Sequence, residues 1–284
     1  MNEEPEAAGP PALRWLGAIV ANATVITALL VYFGWQRSEV MAKRLGIDES
    51  VLGMSTREYV LRSVGPVLVL LLVISVAGFG WLALDRWLTG ALETPGRTTR
   101  IVLLLLSLAW LVLPLLAWLL GYVPALRAQV FIAFPFTLGA GVLLAFYASR
   151  LRADPEAPNP RDPMLKGFVT VIVAVSLFTG TSNYATVLGT RLADGVTPGS
   201  LTRVAIYSPT RLHLGAPGVV ETPLPPPDPK TKQDTPFLFR YTGLRLLDHV
   251  GGQYFLISDA WTRRTSTVMP ISDKSPARFE FSQR

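Results

Sequence analysis

The chain has 284 residues, 50% of them hydrophobic and only 16% charged, with a formal net charge of +6. A soluble globular domain carries about 25% charged residues; the deficit here sits in long apolar runs, which excludes one large soluble core and points to membrane spans. With no cysteine in these residues, disulfides, thiolate metal sites and cysteine nucleophiles are excluded, and basic residues that flank apolar runs instead of clustering argue against nucleic acid as a partner.

Residues 1–14 are rich in Pro and Glu and read as a disordered N-terminus. Five apolar runs follow, at 15–35, 64–84, 101–121, 128–148 and 167–187, none holding Asp, Glu, Lys, Arg or His. Each is long enough, at about 1.5 Å per residue, to cross a hydrocarbon core of about 30 Å. Lipid offers backbone amides no partner, so these runs are expected to be helical. The first run does not read as a cleaved signal: Glu3, Glu4 and Glu6 stand where a basic start belongs, and too little apolar chain precedes Ala21-Asn22-Ala23. The fifth run is polar in its second half, with Thr179, Thr181, Ser182 and Asn183.

The connections differ in kind. Tyr122–Arg127 is short enough to make spans three and four a tight hairpin. Ser38–Leu45 predicts a short separate helix lying along the membrane interface. Ser55-Thr56-Arg57-Glu58 has capping-box spacing and predicts a helix that starts there and runs on through Tyr59 into the second span. The 149–166 connection is rich in proline and reads as an irregular loop.

Beyond Arg191 the pattern changes. Residues 222–236, with Leu224-Pro225-Pro226-Pro227, predict a Pro-rich polyproline-II loop. Strand-like runs lie at Arg203–Tyr207, around Phe237–Tyr241, at Ser266–Ile271 and at Ala277–Phe281; Leu244–His249 and Gln253–Ile257 flank Gly251-Gly252 as a hairpin. About five short strands predict a small antiparallel sheet or partly open barrel. The expected fold class is therefore an all-α membrane bundle of five transmembrane helices over 15–190, followed by a small antiparallel β-rich soluble domain over 191–284.

With five spans, one side of the membrane receives Arg14, Arg86, Arg97, Arg100, Arg150, Arg152, Arg161 and Lys166, and the other receives Arg37, Lys43, Arg44, Arg57, Arg62 and Arg127. The excess on the first side favours a cytoplasmic N-terminus and an extracytoplasmic C-terminal domain, although the flanks of the first span alone argue the reverse.

Tyr32-Phe33-Gly34-Trp35, Leu45-Gly46-Ile47-Asp48, the segment Ser55–Ser63 and Tyr241-Thr242-Gly243-Leu244-Arg245-Leu246-Leu247 together cover about a sixth of the chain. In these pieces the chain resembles an uncharacterised family of multi-pass membrane proteins from high-GC Gram-positive bacteria. The resemblance implies a similar spanning architecture and a bacterial plasma membrane; it implies no activity and assigns no functional residue.

Asn22 and Asn183 are the strongest polar groups inside the spans. An amide in hydrocarbon must face another helix or water, so each is a candidate intramembrane contact, for a ligand or for a neighbouring helix. Arg62, Asp85 and Arg86 sit at the ends of the second span as candidate interfacial contacts. Pro114 and Pro135 each free a carbonyl within a span, while Gly139, Gly141 and, in span two, Gly78 and Gly80 offer faces for close packing. Arg37, Lys43, Arg44, Arg57 and Arg62 could meet anionic headgroups, against the acidic residues interleaved with them. Asp248-His249 with Asp259 is the one place where a general base suggests itself.

No catalytic, metal or phosphate-binding motif occurs, and no cofactor is expected. The pattern favours a non-enzymatic binding, sensing or scaffolding membrane protein, and the resemblance implies a bacterial plasma membrane for it. Its expected partners are the lipid bilayer and, through the terminal domain or the spans, another protein or a second copy. An oligomeric channel or transporter subunit is the alternative, and the lack of ionisable groups in the spans counts against it.

Overall fold

The computed structural model describes residues 11–92, 96–152, 162–225, 237–263 and 267–282, without the side chains of residues 11–22, 91, 92 and 98. The helices are α1 (Pro11–Arg44), α2 (Thr56–Arg62), α3 (Val64–Leu92), α4 (Arg97–Leu120), α5 (Arg127–Arg152) and α6 (Asp162–Asp194). Strands β1 (Arg203–Ser208), β2 (Val220–Pro223), β3 (Phe239–Val250), β4 (Gln253–Ser258), β5 (Met269–Ser272) and β6 (Arg278–Ser282) follow. The chain divides into a helical unit, Met1–Gln36 with Arg62–Val187, and a β-rich unit, Arg37–Leu61 with Leu188–Arg284.

In the helical unit, α3, α4, α5 and α6 are each long and apolar enough to cross a membrane. The run 15–35 lies in α1, part of whose side chains fall outside the described residues. Close approach through small residues, not burial from water, holds such helices together. Gly141 illustrates it: a Cβ there would stand 2.6 Å from the carbonyl oxygen of Ala109 and 2.7 Å from the Cα of Trp110, so α5 lies directly on the α4 backbone. Gly139 meets Ser176 of α6 in the same way, at 2.8 Å, and Gly180 meets the Phe136 ring at 2.5 Å. Gly78 and Gly80 make no such approach among the described residues: nothing lies within 4 Å of a Cβ at either beyond its own stretch of helix. On α1, Tyr32 packs its ring 4.9 Å from that of Phe178 on α6, and Gln36 donates to Thr186 at 3.2 Å.

In the β-rich unit the sheet order is β5-β4-β3-β1-β6, all pairs antiparallel, and β2 pairs with β3 off that path. Strand β3 changes partner at Gly243: residues 239–242 pair with β2 and 244–250 with β4. Gly243 has φ +78, and a Cβ there would fall 2.0 Å from the Gly218 carbonyl, so only glycine fits this bend. The sheet curls until Tyr254 on β4 stands 4.4 Å, ring to ring, from Phe279 on β6. Val204, Ile206, Tyr241, Leu244 and Leu256 fill the inside of the curl.

The other face of β4 is also covered, which is why Phe255, Leu256 and Ile257 are successive apolar residues instead of an alternation. Phe255 and Val250 pack with Ala42 and Leu52, and Ile257 packs with Leu45, Ala193 and Trp261. Three expectations change here. Residues Ser38–Leu45 are not a separate interfacial helix. They continue α1 to Arg44, and Ala42 and Leu45 are buried under the sheet, so covering β4 decides their place. Helix α2 does not run unbroken into the second span: Ser63 interrupts it, since Pro66 has no N–H for the Arg62 carbonyl and its ring clashes there. Strand β2 takes Thr222 and Pro223 from the predicted polyproline-II loop, whose residues 226–236 lie outside the described residues; the sheet has six strands rather than about five.

The capping box forms as the spacing predicts: Ser55 N–H and Oγ both donate to Glu58 Oε2, at 2.6 and 2.8 Å, and the Glu58 N–H reaches Ser55 Oγ at 3.4 Å. Glu58 Oε1 accepts the N–H of Gly251 at 3.1 Å, tying the cap to the β3–β4 turn. Gly251 and Gly252 form that turn with φ of 59° and 70°, the positive-φ pair a two-residue hairpin uses.

Candidate functional site

Pro135 lies inside α5. It leaves the carbonyl of Phe131, four residues earlier, without its helical donor. Asn183 of α6 fills the place: its Nδ2 donates to the Phe131 oxygen at 2.7 Å. The Asn183 amide is thereby oriented, with Oδ1 left as an acceptor that takes no hydrogen bond among the described residues.

Around this bond lies a groove of about 840 Å³ bounded by α4, α5 and α6. Its walls are apolar and aromatic: Trp118, Phe131, Phe134, Leu138 and Val175. Trp118 and Tyr122 stand edge to face at its rim, 5.0 Å apart. Polar groups enter it at four levels: Arg127 at the first turn of α5, then Asn183, Thr179 and Ser176 descending α6. The α6 residues are spaced i, i+3, i+7, so they share one face of the helix.

The Ser176 and Thr179 hydroxyls differ from most others in the bundle. Thr27, Ser75, Thr89, Ser107, Thr137, Ser149, Thr170, Thr181 and Thr186 each donate back to a carbonyl three or four residues earlier. Ser176 and Thr179 make no hydrogen bond among the described residues, and the Arg127 guanidinium, which is exposed, has no ion-pair partner among them. A pocket of this size with apolar walls and a few oriented polar groups is the usual form of a small-ligand site.

Of the residues singled out in the sequence, Asn183 therefore lines the groove, and Gly139 and Pro135 shape it. Asn22 lies in α1 where side chains are outside the described residues. Asp85 accepts the Tyr147 hydroxyl at 2.5 Å and Trp81 packs on the Tyr147 ring at 4.7 Å, which ties α3 to α5 away from the groove. Arg86 is exposed beside it, and Arg62 ends α2. Of the basic residues of the first connection, Arg37, Lys43, Arg44 and Arg57 belong to the β-rich unit, where Lys43 pairs with Glu39 and Arg44 with Asp194. The suggested general base does not assemble. His249 stacks on Tyr254 near the hairpin turn, while Asp259 pairs with Arg245 at the far end of β4. The sequence does not mark Arg127 or Thr179 as site residues; its one signal here, the distance of four residues from Pro135 back to Phe131, marks only a carbonyl needing a partner.

Comparison of the chain with protein-family models, with curated proteins and with solved structures finds no match.

Proposed function

We propose that the chain is a five-span, non-enzymatic protein of a bacterial plasma membrane that uses its β-rich unit to bind, sense or scaffold a partner, with that unit on the extracytoplasmic side. The observation that carries this reading is the open edge of the sheet. Strand β6 has β1 as its only neighbour among the described residues, and Phe281 on it is 48% exposed. Val220 and Leu238 add exposed apolar surface in the same unit. An unpaired edge with an apolar side chain is a template for another strand, from a partner or from a second copy.

The number of crossings is supported by parity. Residues 37–61 and 188–284 fold into one unit, so they occupy one compartment, and an even number of crossings must separate them. Helices α3 to α6 supply four; α1 would make the fifth and leave the N-terminus opposite.

Two measurements test the proposal. In this cysteine-free chain, Arg57→Cys and Lys274→Cys should both react with an impermeant maleimide added to intact cells, while Arg86→Cys reacts only after the membrane is opened. A photoreactive residue in place of Phe281 should then capture a polypeptide in the native envelope; repeated absence of any adduct would remove the binding reading. A second reading, an oligomeric channel or transporter subunit, draws on α3, whose most apolar 18-residue window has no buried residue and is open to another copy. Solute flux in proteoliposomes that tracks oligomer formation would favour it instead.

A further inference from the structure

We infer that the α4–α5–α6 groove holds one anionic phospholipid, its phosphate on Arg127 and its glycerol ester region on Asn183 and Thr179. The polar groups of the groove are graded in depth. Arg127 opens α5, directly after the α4–α5 turn, which places it at the edge of the hydrocarbon. The Phe131 carbonyl that Asn183 caps is four residues further in, about 6 Å along the helix axis. Thr179 lies one further turn down α6. Beyond it, Leu138 and Val175 line an apolar wall in which Ser176 is the last polar group.

That order matches a diacyl lipid read from its head: an anionic phosphate at the interface, ester and hydroxyl oxygens one turn below, then hydrocarbon. The free valences match as well. Among the described residues the guanidinium lacks a counter-anion and the Thr179 hydroxyl has an unused proton, so phosphate and ester oxygens answer both. The Asn183 Oδ1 needs a donor, which a hydroxylated headgroup such as phosphatidylglycerol carries. A zwitterionic choline lipid brings neither net negative charge nor a hydroxyl.

The full chain, purified in detergent and titrated with phosphatidylglycerol, reports occupancy by native mass spectrometry. The expected result is one tightly retained phosphatidylglycerol, with phosphatidylcholine retained at least fivefold less. Arg127→Gln should lower retention at least fivefold, and Thr179→Val, nearly isosteric, should lower it by a smaller factor. Arg100→Gln, an interfacial arginine outside the groove, should leave it unchanged. Equal retention of the two lipids, or equal loss in the Arg127 and Arg100 variants, overturns the inference. Should the Arg127 variant prove unstable, a diazirine residue at Val175 decides: crosslinking to a phospholipid supports the assignment, and crosslinking to a polypeptide overturns it.

Discussion

The side-chain amide of Asn183 on α6 donates to the main-chain carbonyl of Phe131 on α5 at 2.7 Å, and that carbonyl is the one Pro135 cannot serve. The two residues thus form a complementary pair across two helices. In lipid an unserved carbonyl finds no water, so the proline and the asparagine depend on each other.

This dependence can be measured as a coupling. Asn183→Leu is expected to destabilise the bundle by about 0.6 kcal/mol, and by no more than about 1.7. Pro135→Ala restores an N–H for Phe131 within α5. In that background Asn183→Leu should cost less, giving a non-zero interaction term in a double-mutant cycle of unfolding in mixed micelles. Strict additivity would show that the bond contributes nothing.

Gly141 and Gly78 make a paired test of where the bundle is tight. Gly141→Val forces side-chain carbons onto the Ala109 carbonyl and should cost about 1–3 kcal/mol. A Cβ at Gly78 meets nothing within 4 Å beyond its own stretch of helix, so Gly78→Val should leave the unfolding transition of the detergent-solubilised monomer within about 0.5 kcal/mol of the parent.

Glu58 joins two parts of the β-rich unit that are distant in sequence, the cap of α2 and the turn at Gly251. Glu58→Ala removes both contacts and should destabilise the unit by about 1–3 kcal/mol, while Glu58→Gln, still able to accept, should lose less. Hydrogen exchange at the Gly251 amide reads the loss locally. Unaltered protection there in the alanine variant would contradict the role assigned to this carboxylate.

Tyr241 lies fully buried inside the curl of the sheet, and its hydroxyl accepts the Leu212 N–H at 2.7 Å. Burial raises its pKa above the ordinary tyrosine value, outweighing the Leu212 N–H, which acts the other way; nearby Glu221 adds to the rise. A raised pKa means that the folded state holds the proton when the unfolded chain has begun to release it. The stabilisation is whole below the unfolded value of about 10 and is lost as pH rises above it. The thermal midpoint of the β-rich unit should therefore fall in alkaline solution. Tyr241→Phe should flatten that dependence while lowering stability at neutral pH by about 1–3 kcal/mol, because the Leu212 amide loses its acceptor.

Some of this was legible in the residues alone. The apolar runs at 64–84, 128–148 and 167–187 fall within α3, α5 and α6, and the run at 101–121 lies in α4 up to Leu120, because hydrophobic length is a local property and lipid enforces helix along it. The Ser55–Glu58 cap and the Gly251-Gly252 turn are equally local, set by side chains within four residues and by the φ freedom of glycine. Asn183 stood out because an amide in hydrocarbon must have a partner.

The identity of that partner was a tertiary matter: nothing in residues 167–187 tells which helix carries a freed carbonyl, and Phe131 is 52 positions away. So was the fate of Ser38–Leu45, whose apolar side suits an interface as well as a sheet until β4 claims it. The same holds for Arg127, an ordinary flanking arginine in the sequence, which only the packing of three helices places at the mouth of a groove. Periodicity and length determine which segments are helices, because their causes act within a few residues. Which faces meet is decided by close contacts between distant residues, and those exist only once the chain has folded.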